Sequence, residues 1–189
     1  LVRGPNGIKH GADAIGGVVN AISDNAYFAT DGVRSQGEAF ARISSAESSW
    51  TGHLEGEVST KNWFAELSHA ERSFGDLEGG RQVGKQINTG YDVLGTNFRL
   101  ARRLGEDSSI TFGFQRVFMD DVPRTHITVD GLEWEGLSKG EEIWRRLDQE
   151  RNLYYGKFSW KDRGGWADQG IVTMSLHRHN QERNRMKQA

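Results

Sequence analysis

His177 and His179 stand two residues apart in a run where apolar and polar residues alternate. On an extended strand that spacing sends both imidazoles to one face, where they would begin a metal or haem contact. A metal site needs further donors. No third ligand is identifiable and the chain has no cysteine, so polar lining of a wet surface is the favoured reading. His126, in a long connecting segment, reads as a surface residue. Glu141 and Glu142 are adjacent, so their side chains diverge instead of converging on one proton. The glycines between Gly4 and Gly17 fit neither GxGxxG nor the phosphate-loop spacing, and no Lys-Ser/Thr pair follows them. No Ser-His-Asp pattern and no HExxH is found. Enzyme is the least supported class, and no catalytic residue, cofactor or metal ligand is assigned.

The elements that must carry the polar residues are strands. The 189-residue chain has 24 Gly and only 2 Pro, with 6 Trp, 9 Phe and 4 Tyr. That composition suits strands and turns better than helices. Net charge is -2 at pH 7, so bulk basicity gives no reason to expect nucleic acid as a partner. No apolar run reaches the ~20 residues of a membrane helix, a test that alternating barrel strands escape because they average out. Leu1-Val2-Arg3 reads neither as an initiator Met nor as a signal peptide, as a truncated start would.

Period-two alternation marks seven strands after a polar, loop-like segment over residues 24–36. In the first, Glu38, Phe40, Arg42 and Ser44 oppose Ala39, Ala41 and Ile43; in the second, His53, Glu55 and Glu57 oppose Leu54, Gly56 and Val58. The third sets Glu66, Ser68, Ala70 and Arg72 against Trp63, Ala65, Leu67 and His69. The fourth sets Gly95, Asn97, Arg99 and Ala101 against Leu94, Thr96, Phe98 and Leu100. Ile110, Phe112, Phe114 and Phe118 share a face of the fifth, with Thr111, Gly113 and Gln115 opposite and Arg116 on the apolar side. In the sixth, Tyr154, Gly156, Phe158 and Trp160 face away from Tyr155, Lys157 and Ser159. The seventh divides Val172, Met174 and Leu176 from Thr173, Ser175, His177 and His179. One wet face and one apolar face recur, and Glu55, Glu57, Glu66, Arg72, Arg99, Gln115, Lys157, His177 and His179 are the candidate wet-face residues.

Short turns at Thr60-Lys61-Asn62, Gly105-Glu106-Asp107 and Arg163-Gly164-Gly165 alternate with long excursions over residues 76–92 and 121–151. The first connection, near Ser45 to Trp50, is the brief exception. Short turns at one end and long loops at the other are the habit of a transmembrane barrel. Trp63, Phe118, Tyr154 and Trp160 are expected towards strand ends, where aromatic rings suit a membrane boundary. Within residues 133–151, Ile143, Trp144 and Leu147 would share one side of a short amphipathic helix.

Arg3-Gly4-Pro5, then Gly11, then Ala14-Ile15-Gly16-Gly17-Val18-Val19-Asn20 form an ordered motif. Pro fixes φ and Gly accepts positive φ, so its opening is a turn; Gly16-Gly17 permits close backbone approach at the head of a short strand. This motif resembles the end of the plug domain of TonB-dependent outer-membrane receptors. It departs from them at Lys9-His10, where an aromatic usually precedes the glycine, and at Gly7, where Ser is common. More loosely, Asp121 to His126 and Asp148 to Tyr155 resemble a long extracellular loop and descending strand of that family.

The resemblance implies an all-β fold: residues 1–23 end a plug domain, and residues 24–189 begin a transmembrane antiparallel β-barrel. About seven strands would belong to this chain, out of roughly 22 in the whole barrel. It implies a receptor and transporter in the outer membrane of a Gram-negative-type bacterium, taking up a scarce nutrient such as a ferric siderophore, haem or cobalamin. The implied partners are TonB, reached through a missing N-terminal segment, outer-membrane lipid and the small nutrient itself. Arg3, Gly4, Pro5, Gly11, Ala14, Ile15, Gly16, Gly17 and Asn20 would mark the plug–barrel junction, and the wet-face residues would line the lumen. The alternative is a non-transporting outer-membrane or secreted β-protein acting as a binding or adhesion module. Periodicity alone also allows a soluble β-sandwich.

Overall fold

The computed structural model describes residues 2–3, 17–18, 26–80, 83–131, 133, 136, 138–161 and 167–188. Strands β1 (Val2–Arg3) and β2 (Gly17–Val18) form a two-stranded antiparallel pair, with Arg3 opposite Gly17. The short strand expected after Gly16-Gly17 is therefore present as β2. Of the other junction residues, Gly4, Pro5, Gly11, Ala14, Ile15, Gly16 and Asn20 lie outside the described residues.

The remaining strands are β3 (Val33–Ser44), β4 (Ser49–Thr60), β5 (Trp63–Phe74), β6 (Tyr91–Arg103), β7 (Ser108–Pro123), β8 (Glu142–Lys161) and β9 (Gln169–Lys187). They form one open seven-stranded sheet in chain order, and every neighbouring pair is antiparallel. All seven strands expected from alternation are there, and each is longer than its alternating stretch. Backbone pairing explains this, because ladder bonds continue wherever a neighbour supplies donors and acceptors, whatever the side chains. Val33 to Gln36, expected in a loop, thus pair with Thr60 to Glu57.

The same effect overturns two further expectations. No helix forms around Ile143, Trp144 and Leu147, which lie in β8. Trp144 pairs with Met186 and Leu147 with Arg183, and three residues of separation on a strand put Trp144 and Leu147 on opposite faces. Among the described residues the only helical turn is the 3-10 segment Thr125–Ile127. The second long excursion consequently shrinks to residues 124–141. Trp63 opens β5 and Trp160 is next to last in β8, but Phe118 and Tyr154 lie well inside their strands.

Residues 61–62, 104–107 and 162–168 connect strands at one end of the sheet; residues 45–48, 75–90 and 124–141 do so at the other. Gly105, with φ +82°, supplies the left-handed residue in one short turn. The Arg163-Gly164-Gly165 turn lies outside the described residues.

The sheet has no ordinary core. Only Ala29, Phe64, Ala101 and Leu147 are buried apolar residues among those described. Ile43 is 87% exposed, Met174 76%, Leu54 64% and Leu176 59%. An apolar sheet face of this extent left uncovered in water is an aggregation hazard or an interaction surface.

Candidate functional site

The candidate site is the polar face of the sheet. Residues directly opposite each other in an antiparallel ladder project to the same side, so the register decides which residues share that face. Glu57 lies opposite Glu66, and Glu66 opposite Arg99; Glu55 lies opposite Ser68, and Arg72 opposite both Thr51 and Val93. Further along, Asn97 meets Gln115, Thr111 meets Lys157, Leu153 meets His177 and Arg151 meets His179. All nine wet-face residues read from the sequence therefore fall on one side. They do not make one cluster, because they spread from β4 to β9.

The centre of this face is a tight polar network. Arg99 and Glu66 form an ion pair at 2.5 Å with both side chains 11% exposed. Asn97 Nδ2 donates to Glu66 Oε1 at 3.0 Å, and the Arg99 guanidinium lies 5.0 Å from the Phe64 ring centroid. Like charges directly opposite destabilise a strand pair, so Arg99 also relieves the Glu57–Glu66 juxtaposition.

At the short-turn end, the chain entering β3 crosses this face. Ala29 is buried there, and Arg103 stacks on Phe28 with 4.8 Å between guanidinium carbon and ring centroid. Between this segment and β7–β9 lies a hollow of about 700 Å³, lined by Phe28, Arg103, Asp107, Ser109, Lys157 and Trp160 among others.

At the other end the two long loops are ordered by their own hydrogen bonds. Asn88 Nδ2 donates to Asp130 Oδ2 at 3.2 Å, tying residues 75–90 to residues 124–141. Thr89 Oγ1 accepts from the Leu77 N–H and donates to the Gln86 carbonyl. The Thr89 N–H donates to Asp76 Oδ1 at 3.0 Å. That bond foremost, against a desolvation cost and helped by Lys85, holds the Asp76 carboxyl below its ordinary range. A cleft of about 390 Å³ opens between the loops, with Lys85, His126, Asp130 and Lys139 on its walls.

His177 and His179 share a face, and the Arg151 Nε–H donates to His177 Nε2 at 2.9 Å, which occupies that nitrogen. Among the described residues no group of three His, Asp or Glu side chains is placed to hold a metal. Glu141 is exposed, whereas Glu142 is buried and bridges Arg145 at 2.5 Å and Arg185 at 3.4 Å. Its backbone carbonyl also accepts from the Val129 N–H, fastening a long loop to the sheet.

Sequence reasoning missed this group and the basic side chains around it. Arg145, Arg151, Arg183, Arg185 and Lys187 lie on the polar face with His177 and His179. The signal was available: Arg183, Arg185 and Lys187 continue the odd-numbered polar positions of the seventh strand.

A comparison with protein-family models gives no match, and neither does one with curated protein sequences.

Proposed function

We propose that this chain forms part of the wall of an outer-membrane β-barrel of the TonB-dependent receptor type, entered from the end of a plug domain. One observation carries the reading: a two-faced antiparallel sheet whose uncovered face is apolar in a band of limited height. On that face two successive rows are free of charge: Ala65, Leu100, Phe112 and Met174; then Leu67, Phe98, Phe114, Tyr154 and Leu176; the row below them holds Trp63, Ile110, Phe158 and Val172 with Arg102 at its boundary. Across β5 to β9 the next row is His69, Thr96, Arg116, Asn152 and Arg178, while β4 carries Leu54 at that level. A soluble sandwich would bury this face in a core, with no reason to set Arg102 below the band and Arg116 and Arg178 above it. A bilayer imposes that arrangement, because charge is costly in hydrocarbon and welcome at the headgroups.

The loop arrangement and the motif at residues 3–20 support the same reading. The polar face becomes the lumen wall, and the long loops lie outside the cell, where the nutrient arrives. Transport would use the plug, pulled through TonB by the proton gradient, and no catalytic step is assigned to the chain. The test is uptake of a labelled ferric siderophore, haem or cobalamin by cells expressing the protein. Uptake that stops when TonB is deleted or the proton gradient collapses supports the reading. Retention of ligand at the surface with no energised uptake favours the binding or adhesion module instead.

A further inference from the structure

We infer that the polar face of β8 and β9, near the long-loop end, is a binding surface for a small, multiply anionic solute. The inference rests on that face lining the lumen, and it names the class of cargo. The observation is a difference between the two faces of one strand pair. On the polar face stand Arg145, Arg151, Arg183, Arg185 and Lys187, against a single carboxylate, Glu142. On the opposite face of the same segment, Arg146 and Arg178 are matched by Asp148, Glu150 and Glu182. Solubility alone would favour mixed signs on both sides. One face is mixed and the other is cationic.

Position adds to the contrast. The apolar rows stop below Arg178, yet β9 continues to Lys187 with every residue exposed. At about 3.3 Å per residue, the 20 residues of β8 reach roughly 65 Å. That exceeds the ~30 Å of hydrocarbon even at a 45° tilt. The cationic rows therefore stand above the bilayer, at the mouth of the lumen, where an incoming solute passes first. On β3 to β5, by contrast, the polar face is mixed: Glu38, Glu55, Glu57 and Glu66 stand with Arg34, Arg42 and Arg72. The unbalanced positive charge is thus concentrated on β8 and β9, which would hold an anion there.

Local geometry suits recognition of several negative oxygens. Glu142 already engages Arg145 and Arg185 and holds the two strands' guanidinium groups side by side. Arg183 lies opposite Leu147, one position below Arg185 on the same face, with Gln181 and Gln149 as neutral donors beneath. Arginine forks bind carboxylate or phosphate oxygens in pairs, and a charge-lined mouth raises the local concentration of anions.

The experiment uses membranes from cells expressing the protein. Two probes of similar size are compared: a ferric tris-catecholate complex, a trianion, and a ferric trihydroxamate complex, which is neutral. Binding is read by tryptophan quenching at low and at physiological salt. The trianion should bind at least ten-fold more tightly, and that preference should shrink as salt rises. Arg183→Gln with Arg185→Gln should weaken trianion binding at least ten-fold, while Arg183→Lys with Arg185→Lys keeps most of it. Both variants should retain the parent's resistance to heat unfolding in detergent, so that loss of fold is separated from loss of charge. Equal binding of the two probes, a preference for the neutral one, no trianion binding, or an unaffected glutamine variant overturns the inference. TonB-dependent uptake of the neutral complex in that case would leave the transport reading standing. Tight trianion binding without energised uptake would do the reverse.

Discussion

Replacing Phe112 by Arg tests whether the apolar face meets hydrocarbon. Phe112 sits in the lower of the two charge-free rows, between Leu100 and Gly156, with Met174 beyond. Its side chain is 47% exposed, so on a sheet in water no packed core would be broken. An exposed substitution of that kind costs within about 0.5 kcal/mol. In a bilayer, an Arg at midplane depth on the outer face of a barrel costs about 2–4 kcal/mol, falling to about 0–1 near the interface. The control is Asn180→Arg, on the same face but above the row that holds Arg116 and Arg178. The expected difference, about 1–4 kcal/mol, is a factor of about 5 to 700 in the folding equilibrium, at tenfold per 1.4 kcal/mol. The assay is reversible urea unfolding of the protein in phospholipid vesicles, followed by tryptophan fluorescence. If Phe112→Arg is no costlier than Asn180→Arg, the apolar band does not lie in hydrocarbon and the barrel reading fails.

Removing Glu66 alone leaves Arg99 in a largely enclosed site, so Glu66→Ala should lose about 3–5 kcal/mol. Replacing both residues by apolar ones should recover most of that, and a single-variant cost below about 1 kcal/mol would show the pair to be solvated. The Asp76 carboxyl is held below its ordinary value of 3.8 by the Thr89 N–H. A lowered carboxylate contributes stability above its unfolded value and loses it as pH falls through the folded one. Proteolytic nicking of residues 75–90 should therefore rise under acid below about pH 4 and become less pH-dependent in Asp76→Asn. A Cβ at Gly113 would collide with the Tyr155 ring, so Gly113→Val should cost about 1–3 kcal/mol through displacement of that ring. Tyr155→Ala in the same chain should relieve part of the loss, and additive penalties would count against the contact.

The existence of seven strands, and the face on which each polar residue lies, was legible in the sequence. Period-two alternation is a local property: Glu66 and Leu67 point apart in any extended chain. The turn signals at Lys61-Asn62 and Gly105-Glu106 were local too. Strand length was not, because β8 is extended from Glu142 onward by pairing with β7 and β9, against the helical spacing of Ile143, Trp144 and Leu147. Nor could spacing find partners distant in the chain. That Glu66 meets Arg99, that Asn88 reaches Asp130 and that Arg185 joins Glu142 all depend on register. Register likewise stacks Arg145, Arg151, Arg183 and Arg185 into one cationic surface from two strands. The sequence by itself determined the two-faced strands, since alternation needs only neighbouring residues. Tertiary structure alone decided which charges meet and where the apolar band ends, because both are set by the alignment of strands far apart in the chain.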